Sequence, residues 1–251
     1  MIEKISTGSK EFDRFLNGGY EKDIITTLYG PAGSGKSNFC IMAAVEQARN
    51  GKKVIYIDTE GGFSIERVKQ VTEMDVLNNI VLLKPTSFKE QKEAFKKLLE
   101  EIRHDKISLI VIDSMVMLYR LELGLARENA KIENDEEKIG KLEENERKKI
   151  QEVNREMASQ LRILAEIARK KLIPILVTNQ VYASFDEPDK VRMVGGDLLK
   201  YWSKSIIELQ DEGIGRKRAI LRKHRSLAEE REFNFAVVNE GIKERKFFKL
   251  F

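Results

Sequence analysis

Cysteine is almost missing from this 251-residue chain, with Cys40 the only one. That excludes an internal disulfide and a cysteine-ligated zinc cluster. Cys40 falls in the apolar run Phe39–Val45 and reads as a small packed side chain. The two histidines, His104 and His224, lie far apart and form no ligand-spaced group. No run of eighteen apolar residues occurs, so no membrane span is expected. Met1–Gly8 lacks the apolar stretch of a signal peptide, which makes the cytoplasm the expected compartment. Nor is there a dominant charge. Lys and Arg number 45 against 41 Asp and Glu, and the net +4 is too small to imply nucleic acid by itself.

Apolar residues make up 41% of the chain, enough for the core of one large α/β domain over residues 1–251. Ile24–Tyr29, Val54–Asp58, Leu109–Asp113 and Ile173–Thr178 read as buried strands. A helix is predicted over Ser37–Asn50, with Gly51 at the C′ position. Ser87 and Glu90 form a capping-box pattern ahead of Phe88, Phe95, Leu98, Leu99 and Ile102 at helical spacing. Strands alternating with helices imply a mainly parallel sheet flanked by helices. Lys204–Leu209, Lys217–Lys223 and Glu232–Val238 are separated by short turns and suggest antiparallel strands extending one sheet edge. Arg127–Lys149 carries eight acidic and seven basic residues and almost no large apolar ones. It is either a solvated helix or disordered, and either a spacer or a partner-binding arm. Gly140 argues for a break, and one long helix is expected from about Ile150 to Lys171.

Gly30-Pro31-Ala32-Gly33-Ser34-Gly35-Lys36-Ser37 fits G-x-x-x-x-G-K-[ST], with a strand before it and a helix after. Glycines let backbone N–H groups turn inward around phosphate oxygens, and the following helix points its positive end at the same anion. Lys36 supplies a charge to the β- and γ-phosphates of ATP, and the Ser37 hydroxyl reaches Mg²⁺. Asp113, at the end of Leu109–Asp113, is placed to hold that Mg²⁺ through water. Hydrolysis also needs a group that orients water, and Asp58 or Glu60 at the end of Val54–Asp58 can supply it. Spacing alone does not choose between them.

The chain resembles the RecA/RadA recombinase family, most closely archaeal members that begin directly at the ATPase core. The resemblance is carried by Ile5–Lys10, Leu16–Tyr20, the phosphate loop, Tyr56–Phe63, Leu176–Val181 and Gly195–Asp197, and covers nearly everything except Arg127–Lys149. It implies a RecA-like P-loop NTPase core with ATP and Mg²⁺ as cofactors. It selects Glu60 as the water-activating base and makes Gln180 the γ-phosphate sensor. The family's N-terminal helix-hairpin-helix domain and inter-subunit linker are not found in this sequence. The resemblance therefore implies an ATP-binding accessory factor of homologous recombination and DNA repair, with slow hydrolysis, rather than a strand-exchange enzyme. The implied partners are DNA, a RadA-type recombinase and a Holliday-junction resolvase, and the implied assembly is a monomer or dimer. A KaiC-like ring-forming signalling ATPase is the competing reading.

Two basic sets are candidate DNA contacts. Tyr182–Val194 contains Phe185, Lys190 and Arg192, which could stack a base and pair phosphates. Arg216–Arg218 and Arg222-Lys223-His224-Arg225 place seven basic residues within ten positions. They read as solvated strand ends, as phosphate-backbone contacts, or, for Lys223 and Arg225, as a finger reaching a neighbouring subunit's ATP. In the family members resembled, a Lys-His-Arg motif at this place is associated with DNA binding, which favours that reading. The aromatic Phe247–Phe251 end either packs on the last strand or docks a partner.

Overall fold

The computed structural model describes residues 3–128, 136–183, 191–193 and 196–245, with the backbone alone at 126–128, 136–143, 182–183, 191–193 and 196. Lys190, the greater part of Tyr182–Val194 and Phe247–Phe251 lie outside the described residues, and Arg192 is described by its backbone only.

The centre is a ten-stranded sheet. Five strands run parallel in the order β3 (Ile25–Gly30), β7 (Ile175–Ala183), β6 (Ile107–Asp113), β4 (Lys53–Asp58) and β5 (Ile80–Leu83). On the other side of β3 lies β9 (Ser205–Gly213), parallel to it, followed by β10 (Arg216–His224), β11 (Glu232–Val238) and β12 (Gly241–Glu244) in antiparallel ladders. A short β8 (Val191–Met193) pairs with the end of β7, and β1 (Lys4–Ile5) and β2 (Tyr20–Glu21) form a separate ribbon. The expected parallel sheet with antiparallel C-terminal strands is present.

Alternation along each strand supplies both faces. Val54, Tyr56, Leu109, Val111 and Leu176 face a core built with α1 (Lys10–Phe15), α2 (Lys36–Arg49) and α3 (Ile65–Val71). Their neighbours Ile55, Ile57, Ile110, Ile112, Ile175 and Val177 face a second core under α4 (Phe88–His104), α5 (Met117–Glu128), α6 (Glu136–Lys171) and α7 (Gly196–Trp202). Burial on both faces explains why these strands read as continuous apolar runs.

α2 ends at Arg49, and Gly51 adopts the positive φ expected just past a helix. At α4 the Ser87 hydroxyl accepts from Glu90 N–H, but the Glu90 carboxylate reaches back to Thr86 N–H at 2.8 Å rather than to Ser87. α6 departs most from expectation. It spans 36 residues from Glu136, and Gly140 lies inside it. A helical glycine costs only about 1 kcal/mol, which a long cooperative helix absorbs. The apolar seam of Val153, Met157, Leu161 and Leu164 anchors the helix on the sheet.

Candidate nucleotide site

β3 delivers the phosphate loop at the carboxyl ends of the parallel strands, where α/β sheets gather their ligands. Gly30 is required there, because a Cβ would stand 2.1 Å from the carbonyl oxygen of Leu209 on β9. Gly35 caps α2 with φ of 103°, a left-handed conformation that only glycine takes readily. Lys36 is 6% exposed, and its Nζ donates to the Gly30 and Pro31 carbonyls at 3.0 and 2.8 Å. Burial lowers its pKa, opposed by the nearby carboxylates of Glu60 and Asp113.

Asp113, at the end of β6, is 1% exposed. Its Oδ1 accepts from the Thr178 hydroxyl at 2.5 Å and its Oδ2 from the Tyr56 hydroxyl at 2.9 Å. Burial raises its pKa, only partly offset by hydrogen bonds from Thr178, Ser37 and Tyr56. Glu60, just past β4, accepts from the Gln180 side-chain amide at 2.6 Å. Its other carboxylate oxygen is buried and has no partner among the described residues. Asp58 is otherwise engaged, since both its oxygens accept backbone N–H groups, from Gly62 and Phe63, at 3.0 Å. The structure thus brings Lys36, Ser37, Glu60, Asp113 and Gln180 to one place. Thr178 and Tyr56, which hold Asp113, were not expected from sequence. Thr178 sits opposite Asp113 because Ile112 pairs with Val177, a register visible only once β6 and β7 are known neighbours.

The basic run on β10 is largely consumed by ion pairs. Arg222 meets Glu208 at 2.6 Å and Glu230 at 2.5 Å. Arg225 meets Glu21 and Asp23 on the N-terminal ribbon and the turn after it. His224, expected among cationic DNA contacts, has a side chain only 2% exposed. Its Nδ1 accepts the Ser226 and Leu227 N–H groups at 3.2 Å, so that nitrogen carries no proton. Burial lowers its pKa. His224 is a turn-forming neutral ring, which takes it out of the cationic set. Lys223 differs. Its Nζ donates to the Lys200 carbonyl at 2.7 Å, and it has no ion pair among the described residues. Burial and the neighbouring Lys204 lower its pKa.

The Rad51 family matches residues 1–245 of this chain. The "DNA repair and recombination protein RadB" of Methanobrevibacter smithii is 42% identical over 247 residues, covering 95% of each protein. The protein of that name from Methanococcoides burtonii is 33% identical, covering 96% of this chain and 98% of its own. A crystal structure described as the RadB recombinase matches with a TM-score of 0.74 at 31% identity, over 96% of this chain and 100% of that one. This chain belongs to the Rad51 family, in its RadB branch. Rad51-family recombinases bind ATP with Mg²⁺, and the residues of this RadB-branch site fit both. The Ser34 hydroxyl is buried and has no hydrogen-bond partner among the described residues. A Cβ on Gly62 would stand 3.3 Å from Ser37 Oγ and 3.8 Å from Asp113 Oδ2, so the two oxygens lie together beside the loop. One carboxylate and one hydroxyl suit a hard cation that takes its remaining ligands from phosphate and water. No helix among the described residues is long and apolar enough to cross a membrane.

Proposed function

We propose that this RadB-branch chain is an ATP- and Mg²⁺-dependent, DNA-binding accessory factor of homologous recombination that hydrolyses ATP slowly. The observation that carries the reading is the meeting of the Gly30–Ser37 loop with Asp113 and the Glu60–Gln180 pair. The loop amides and Lys36 hold the β- and γ-phosphates, while Ser37 and Asp113 hold Mg²⁺, Asp113 through water. Mg²⁺ neutralises charge on the phosphates. Glu60 orients water toward the γ-phosphate, and Gln180 senses whether that phosphate is present. The Gln180 amide holds one Glu60 oxygen, and the other, buried and without a partner among the described residues, is the one left to orient water.

DNA is held mostly by its phosphates. Lys223, with Lys190 and Arg192, supplies the contacts, while Arg222, His224 and Arg225 shape the segment that presents Lys223. The protein works in the cytoplasm as one ATPase core, as monomer or dimer, and modulates a RadA-type recombinase or a junction resolvase. The reading is tested by ATP titration of wild type and Lys36→Ala, together with DNA binding across a salt series. Equal ATP affinity in the two proteins would defeat it.

A further inference from the structure

The phosphate loop is served by a second cation that lies outside its motif. Lys217, near the start of β10, turns its ammonium over the loop and donates to the Gly33 carbonyl at 2.6 Å and to Asp211 Oδ2 at 2.7 Å. Its side chain is only 12% exposed. Asp211 faces it across the β9–β10 hairpin, in register. The second oxygen of Asp211 accepts the Gly213 N–H at 3.0 Å. The Lys217 bond, with that turn bond, holds the Asp211 carboxyl below its ordinary pKa. An aspartate fixed by its own turn therefore aims a lysine at the nucleotide loop.

The peptide group makes this consequential. C=O and N–H of a trans peptide point in opposite directions, so holding the Gly33 carbonyl outward directs the Ser34 N–H inward. There the Ser34 N–H closes on the Pro31 carbonyl at 3.2 Å, the same oxygen that Lys36 Nζ meets at 2.8 Å. These are the donors that a phosphate would take over. Gly33, at φ of 76°, has no side chain with which to fix its own peptide plane.

We propose that Lys217, oriented by Asp211, is a positioning residue for nucleoside di- and triphosphates. It clamps the Gly33–Ser34 peptide so that Ser34 N–H and Lys36 converge on the phosphates. The inference rests on the ATP reading above and deepens it: the affinity of the loop is set partly from the C-terminal hairpin.

The test is calorimetric titration of ATP into wild type, Lys217→Met, Lys217→Arg and Asp211→Asn, with the melting temperature of each protein measured without nucleotide. Lys217→Met should weaken ATP binding about tenfold, the equivalent of one charge-assisted hydrogen bond. Asp211→Asn should weaken it less, and Lys217→Arg should recover most of the loss. The nucleotide-free melting temperatures should stay together. Unchanged ATP affinity in Lys217→Met overturns the clamp alone. So does a drop in nucleotide-free melting temperature that tracks the affinity loss and that arginine does not repair. A wild-type protein that does not bind ATP instead sinks the reading of the loop itself, a result the variants cannot mimic.

Discussion

The side-chain amide of Gln180, on β7, donates a 2.6 Å hydrogen bond to the carboxylate of Glu60, beyond β4, across a span of 120 residues of sequence. The pair joins the residue proposed to sense the γ-phosphate to the residue proposed to hold the attacking water. Glu60→Gln should lower phosphate release about 100-fold or more, the usual worth of a positioned base, and leave ATP affinity within about threefold of wild type. Single-turnover phosphate release with parallel ATP titration checks this. Equal rates for the two proteins would remove Glu60 from the chemistry.

Asp113 offers a prediction with a sign. Its pKa is raised by burial, so the folded protein holds that proton more tightly than the unfolded chain does. Stability therefore falls as pH rises from the ordinary carboxylate value of 3.8 through the raised one, and the ionised group is a liability at neutral pH. Asp113→Asn should raise the melting temperature of the Mg²⁺-free protein while abolishing the stimulation of nucleotide binding by Mg²⁺. A lower melting temperature in the variant would contradict this account.

His224 responds to pH in the other direction. Burial holds its pKa below 6.5, with Lys4, Arg225 and Arg231 acting the same way and Glu21 opposing. Below pH 6.5 the unfolded chain takes up a proton that the folded ring refuses, so stability is lost as pH falls toward the lowered value. His224→Asn keeps an acceptor for the Ser226 and Leu227 N–H groups and should show a flatter melting-temperature profile between about pH 5.5 and 7.5. Parallel profiles for the two proteins would rule out the ring as the source.

The two cations flanking His224 should separate in their effects. Arg225→Ala removes the partner of Oε2 of the Glu21 carboxylate, which is 1% exposed and keeps Ser226 and Lys4 at Oε1, and should cost about 2 kcal/mol in urea unfolding. Lys223→Ala should leave unfolding unchanged but weaken DNA binding and reduce the salt slope by about one. An unaltered slope in Lys223→Ala would take Lys223 off the DNA backbone.

The phosphate loop was legible in sequence because eight consecutive residues must do their work together, so the pattern is local. Asp113 was legible as the end of an apolar run. Spacing left Asp58 and Glu60 open and the family resemblance pointed to Glu60; the fold adds that Asp58 is spent on the Gly62 and Phe63 N–H groups. Thr178, Tyr56 and Lys217 were hidden for a common reason. Each acts across a strand pairing, and nothing in the sequence states that β6 lies beside β7 or that the β9–β10 hairpin passes over Gly33. The basic run misled because its partners Glu21, Asp23 and Glu208 are remote in the chain, and a cluster of cations looks the same whether it is paired or not. α6 began early because local charge pairs such as Glu144 with Lys148 carry the helix beyond its apolar seam.

The order in which the sheet assembles follows from the neighbours of β3. Gly30 pairs with Gln180 and Tyr29 with Glu208, so neither flank of this strand comes from nearby chain. As the polypeptide leaves the ribosome, the strand carrying the phosphate loop waits for both edges until most of the chain has been made. Contacts so distant in sequence close late and slowly. During synthesis the loop is supported on both sides only after residues of β7 and β9 have emerged.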